Sequence, residues 1–129
     1  MPRTPLDTAG QLACADVLHS RFTALPGSAT IADVRAWFDA SSHRKMAFLA
    51  DEDRYVGSLT REDVAAPVDG ARPAAELARP GPTVAPDTPA PSGHDLAVAG
   101  GALRVPCVDG EGRLLGVVAV TDDLAGFCG

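Results

Sequence analysis

The chain has 129 residues, a formal charge of −6, 46% hydrophobic residues and only 5% aromatic ones, so its size admits one domain, or two small halves that share a core built mainly from Ala, Val and Leu. Lys45 is the only lysine, and the arginines are scattered, which excludes the clustered cations that a nucleic-acid partner requires. No apolar run approaches the roughly 20 residues of a membrane span, and the opening MPRTPLDTAG lacks the apolar stretch of a secretion signal; a cytoplasmic location is expected. Cys14, Cys107 and Cys128 are far apart and odd in number, and His19, His43 and His94 have no ligand spacing. Neither a disulfide framework nor a metal site is expected from them.

The elements follow from the pattern of apolar residues. Leu12, Ala15, Val17 and Leu18 predict a first helix over 11–19. FTAL (22–25) is a short extended piece that ends in the turn Pro26-Gly27. Ile31, Val34, Trp37 and Phe38 form one face of an amphipathic helix, with Thr30 as its cap and Asp33 acidic in its first turn. MAFLA and RYVGSL flank DEDR as the strands of a hairpin. TREDVAA is a helix capped by Thr60 and ended by Pro67, and APVDGARP (66–73) has the composition of a linker. Beyond it come a helix start at AAELA, a short strand at TVA, and a short or irregular helix near His94–Ala99. Gly100 and Gly101 each weaken that helix by about 1 kcal/mol relative to Ala. VPCV and LLGVVAV form a second hairpin around DGEG, and TDDLAGF is read as the last helix.

The second hairpin repeats the first. RYVGSLTREDV (54–64) and RLLGVVAVTDDL (113–124) share an Arg, a Gly after two larger residues, and a terminal acidic cluster. Gly57 and Gly116 lie 59 positions apart, as do Asp63 and Asp122; Thr23 and Thr83, and Pro26 and Pro86, lie 60 apart. A long period present only twice predicts two related halves rather than a solenoid. Each half alone would bury only about 60% of its unfolded surface, so the halves are expected to depend on each other.

The repeated β-α-β-β-α order, with RVPCVDGEGRLLGVVAVTDDL and the less sharp KMAFLADEDRYVGSLTREDV, resembles the CBS domain, named after cystathionine β-synthase. The resemblance covers about residues 12–127 and implies an α/β fold of two tandem repeats, 11–66 and 74–127, joined by the linker 67–73 and related by pseudo-two-fold symmetry. A stand-alone module, called a Bateman module, is the expectation. Ala47 departs from the pattern, because it stands where the second copy has Pro106.

The resemblance also implies a ligand. Paired CBS domains commonly bind adenosyl compounds (AMP, ADP, ATP or S-adenosylmethionine), and the ribose signature is a hydroxyl residue three positions before an aspartate. Thr60 and Asp63 meet it, where a carboxylate can accept hydrogen bonds from two ribose hydroxyls; the same pattern is also an ordinary helix cap that binds nothing. Phe22, Thr23 and Ala24 are candidates to face the base, and Arg44, Lys45 and Arg61 to meet phosphates. The second copy has Ala119 in the hydroxyl position, with Thr121 and Asp122 beyond it. Its weaker site would comprise Thr83, Val84, Arg104, Thr121 and Asp122. Phe22 and Val84 read equally as core, and the cations as solvated surface.

Three classes of function therefore stand side by side. One is a regulatory sensor that takes an adenosyl ligand, one per chain, at Thr60 and Asp63. Another is an interaction module with empty pockets that dimerises or meets an unidentified partner protein. An enzyme is the third, and it lacks a nucleophile–base pair, since Cys107 has no histidine partner and Asp122-Asp123 reads as a helix-start pair. A homodimer is expected from apolar helix positions Leu12, Val17, Leu124 and Phe127. No cofactor is required by this reading.

Overall fold

The structure, a computed structural model, describes residues 3–19 and 22–128. In chain order its elements are β1 (Arg3–Pro5), 3-10 turns at Leu6–Gln11 and Cys14–Asp16, β2 (Leu18–His19), β3 (Leu25–Pro26), α1 (Ile31–Asp39), β4 (Met46–Asp51), β5 (Arg54–Thr60), α2 (Arg61–Ala65), a 3-10 turn at Ala74–Glu76, α3 (Ala90–Ala99), β6 (Arg104–Val108), β7 (Leu114–Ala119) and β8 (Gly126–Cys128). This is the mixed α/β class read from the sequence. The chain divides into two compact units, one continuous over Thr23–Gly81 and one that joins Met1–Phe22 to Pro82–Gly129. The sequence repeats, 11–66 and 74–127, are therefore cut differently from the compact units.

In the continuous unit β3 runs parallel to β4, and β4 pairs antiparallel with β5. The connection from β3 to β4 is α1, whose start is a capping box: Thr30 N donates to Asp33 Oδ2 at 2.9 Å, and Asp33 N donates to Thr30 Oγ1 at 3.2 Å. Such a cap contributes about 1 kcal/mol. The next free amides of the first turn find partners too, since Ile31 N donates to Arg72 O and Ala32 N to Gly70 O, both at 2.9 Å. Ile31, Val34 and Phe38 bury the face predicted from their spacing against Leu49, Leu59 and Val64. Residues 66–73 are thus laid along α1 by hydrogen bonds, although their composition is that of a linker. AAELA gives only a 3-10 turn.

The other unit has the sheet order β2-β7-β6, with Val84 bridged parallel to Cys107 and α3 packed on β6 and β7. Its core contains Cys14, Val84, Ala97, Val105, Cys107, Val118 and Phe127. Three predicted elements differ here. Residues 11–19 are a 3-10 turn and a strand, not a helix, because Cys14 N donates to Thr88 O at 2.7 Å and Ala15 N to Pro86 O at 3.0 Å. An α-helix would need those donors internally. TDDLAGF is not a helix either. Leu124 takes a left-handed φ of 63°, Ala125 N donates to Asp123 Oδ1 at 3.0 Å, and the chain folds back so that Phe127 bridges Val120. β8 then pairs antiparallel with β1, where a Cβ on Gly126 would come within 2.4 Å of Thr4 O. Finally, α3 is a regular ten-residue helix that starts at Ala90, earlier than expected, and Gly100 and Gly101 follow its end, where glycine is favourable.

The repeated glycines have a common role. Ser58 and Arg79 exchange backbone hydrogen bonds of 2.9 Å beside β5, while Leu18 and His19 pair with Val118 and Val117 of β7. A third segment thereby lies against each hairpin, and Ala78 sits over Gly57 as Leu18 sits over Gly116. Ala78 and Leu18 are themselves 60 positions apart. The duplication thus includes the segment that precedes each first strand, and the N-terminal copy of that segment serves the hairpin of the second repeat.

The apolar positions expected to face a dimer partner are mostly committed to this core. Phe127 and Val17 are buried in it, Leu12 packs on it, and Leu124 alone of the four is exposed.

Candidate functional site

β5 ends at Thr60, and α2 begins at once. The change of direction brings Asp63 back over the end of the strand. Thr60 N donates to Asp63 Oδ2 at 2.8 Å, and Asp63 N donates to Thr60 Oγ1 at 3.4 Å, a second capping box. The other carboxylate oxygen, Oδ1, accepts from the Arg79 guanidinium at 2.9 Å. The Asp63 side chain is 14% exposed and that of Arg79 is 70% exposed, so the pair lies at the surface and contributes no more than about 1 kcal/mol. Both oxygens that would receive ribose hydroxyls thus have partners within the chain.

The cations placed near the site in sequence divide in the structure. Arg44 donates to Trp37 O and stacks 4.5 Å above the Trp37 ring. Arg61 donates to Arg44 O at 2.8 Å and to Ser41 O, and it stacks 5.0 Å above Phe38. These two guanidiniums close the Ser41–Lys45 turn onto α1, a structural role that the phosphate reading did not include. Lys45 is half-buried in the same turn, Thr23 is exposed, and Phe22 and Ala24 are half-buried just before β3.

The second copy is built otherwise. With residues 121–125 in a turn, no helix start carries Thr121 and Asp122. Thr121 is buried, and its hydroxyl lies 2.6 Å from Asp123 Oδ1 and 3.3 Å from Gly126 O. Asp122 is exposed and Ala119 fully buried. Arg104 donates to Leu103 O at 2.9 Å and Val120 O at 3.1 Å. Burial lowers its pKa, and the charges of Cys128 and Asp122 oppose that shift. Thr83 is exposed, and Val84 is a core residue, as one of its two readings has it.

Sequence reasoning missed three side chains. Arg79 lies between AAELA and TVA, where the sequence carries no motif that points to Asp63. Arg35 donates to the carbonyls of Val64 at 2.7 Å, Ala66 at 3.1 Å and Val68 at 2.9 Å, so it caps the end of α2 from α1. His94 Nε2 lies 2.8 Å from Leu124 O, and the ring meets Phe127 edge-on at 5.8 Å. As a carbonyl can only accept, that nitrogen carries the proton. His94 thereby holds the turn that replaces the expected last helix.

Cys107 is fully buried, and its thiol is pushed up to about 11, first by burial and then by the neighbouring Cys14 and Asp109. At neutral pH it is a thiol, the inert form. The unfolded chain releases this proton near the ordinary value of 9.0, and the folded chain holds it until about 11. Its contribution to stability is therefore complete below pH 9 and is lost as pH rises through the window to about 11. Urea midpoints should fall across that window, and Cys107→Ala should flatten the fall; equal slopes in parent and variant would contradict the assignment. Among the described residues no three His, Cys, Asp or Glu side chains gather as a metal set requires, and no helix is long and apolar enough to cross a membrane.

No family model matches the chain, and no curated protein matches it in sequence. Solved structures do match. The cystathionine β-synthase pair domain of a putative Mg2+ transporter from Shewanella oneidensis MR-1 is 21% identical with a TM-score of 0.69, over 79% of this chain and 61% of that one. A CBS domain protein from Pyrobaculum aerophilum, complexed with AMP, is 23% identical with a TM-score of 0.69, over 84% of this chain and 87% of that one. The cytosolic domain of the Mg2+ channel MgtE, in complex with ATP, is 24% identical with a TM-score of 0.68, over 91% of this chain and 52% of that one. The chain thus spans about three fifths of the first of these proteins and about half of the third. At such identities the likeness is one of fold, and the fold is that of a CBS domain pair.

Proposed function

We propose that this CBS-pair fold serves as a regulatory module that takes one adenine nucleotide per chain, with the ribose at Thr60 and Asp63. The observation that carries the reading is the Thr60–Asp63 pair itself. A hydroxyl and a carboxylate, the latter 14% exposed, meet at the end of β5 in a fold whose relatives include AMP and ATP complexes. In the second copy Ala119 is buried, and the Thr121 hydroxyl meets Asp123 Oδ1 at 2.6 Å within a turn rather than at a helix start. Regulation requires that the ligand prefer one arrangement of the module over another.

The test is a calorimetric titration with AMP, ADP, ATP and S-adenosylmethionine against the parent, Asp63→Ala and Asp122→Ala. Asp63→Ala should weaken binding by one to two decades, since charge-assisted hydrogen bonds are worth roughly 1.5–3 kcal/mol. Asp122→Ala should leave it unchanged. A loss confined to Asp122→Ala would move the site to the second copy.

One observation favours a second reading, a non-catalytic interaction module with no ligand at all. Both oxygens of Asp63 are already engaged, by Thr60 N and Arg79. Under that reading Asp63→Ala lowers the melting temperature through the lost cap, and no ligand in the panel shifts it.

A further inference from the structure

We propose that Arg79 gates the Asp63 site, so that a ribose diol binds by exchange with the guanidinium rather than by entering an open carboxylate. The inference rests on the reading that Asp63 receives the ribose and adds how that contact is regulated. Asp63 Oδ2 is committed to Thr60 N, which belongs to the cap and stays in place. Oδ1 is the oxygen left for a ligand, and Arg79 holds it at 2.9 Å. The two partners of this contact differ in freedom. The Arg79 backbone is tied to Ser58 by two hydrogen bonds of 2.9 Å, and the neighbouring Ala78 is seated on Gly57. The side chain beyond that anchor is 70% exposed. A tethered side chain with a free end can swing into water and return to the same carboxylate, which is the requirement for a gate.

The position 60 residues before Arg79 is His19, whose backbone pairs with Val117 as that of Arg79 pairs with Ser58. In the second copy residues 121–125 form a turn, whereas Asp63 sits in the capping box that opens α2. The gate is assigned to the first copy because the hydroxyl-to-aspartate spacing is complete there.

Adenosine is the probe that isolates the exchange, because it carries the diol and no charge. Adenosine and AMP are titrated against the parent and Arg79→Ala, each at about 0.05 M and about 0.5 M salt. Removing the guanidinium should tighten adenosine binding roughly two- to five-fold, the range set by an exposed ion pair. In the parent, adenosine should bind more tightly at the higher salt, since screening loosens Arg79 from Asp63. Arg79→Ala should show no such gain. Adenosine binding that is equal or weaker in Arg79→Ala, or flat with salt in the parent, overturns the gate and leaves the site standing. AMP binding without adenosine binding to either protein also overturns it. If neither ligand binds either protein, the nucleotide reading falls, and the gate falls with it.

Discussion

Gly57→Ala is expected to destabilise the protein by about 1–2 kcal/mol, while Gly116→Ala is expected to change its stability by less than about 0.5 kcal/mol. The two glycines hold the same place in the repeat, and the difference lies in what faces them. A Cβ on Gly57 would stand 2.8 Å from Ala78 Cβ and 3.2 Å from Arg79 O, neither of which can move without its backbone. That backbone is pinned by the Ser58–Arg79 hydrogen bonds, so the segment must lift off β5. A Cβ on Gly116 would meet chiefly Leu18 Cδ1 at 2.9 Å, with Leu18 Cβ at 3.3 Å, and a leucine end can rotate. Against both costs stands the gain of a less flexible unfolded chain, roughly 0.4–1 kcal/mol when alanine replaces glycine. Urea denaturation of the two variants tests the contrast. Equal losses at the two positions would mean that the segments over the hairpins are held alike. Gly57→Ala should also loosen Arg79 from Asp63, which ties the packing of β5 to the candidate site.

Arg35→Leu is expected to cost about 2–3 kcal/mol. Its guanidinium serves three carbonyls, those of Val64, Ala66 and Val68, at the end of a helix only five residues long. A helix so short does not persist on its own hydrogen bonds. α2 is held at its start by Thr60 and Asp63 and at its end by Arg35, with Val64 packed into the core between them. Hydrogen bonds to a charged donor are worth roughly 1.5–3 kcal/mol each in buried settings, and partial exposure here keeps the sum near the value of one or two. Chemical denaturation gives the magnitude, and hydrogen exchange gives the location, since protection should be lost first over 61–70. Arg35→Lys should recover only part of the loss, because an ammonium lacks the fork that reaches three carbonyls. An Arg35→Leu protein within about 0.5 kcal/mol of the parent would show that water replaces the guanidinium without penalty.

What the sequence determined by itself was everything enforced by near neighbours. The capped helix α1 was legible because Thr30, Asp33, Ile31, Val34 and Phe38 act within three turns of one another. Both hairpins were legible because their strands are separated by short turns, and the 59-residue spacing of Gly57 and Gly116 announced the duplication. The Thr60–Asp63 pair was visible as a motif, yet the motif has the same spelling for a cap and for a ribose site.

The tertiary structure alone decided the rest, and in each case distant partners overrode a local preference. Residues 11–19 carry helical spacing, but Cys14 and Ala15 give their amides to Thr88 and Pro86. TDDLAGF carries helix-start acids, but Leu124 adopts the left-handed region under the hold of His94, and Gly126 lies flush against Thr4. The charges of Arg44 and Arg61 are visible in sequence, whereas the carbonyls and rings that engage them are not. Arg79 reached Asp63 only because the segment before each first strand folds back on a hairpin. A hydrogen bond acts over about 3 Å, and the identity of the group at that distance is fixed by how the chain folds, not by its order in the sequence.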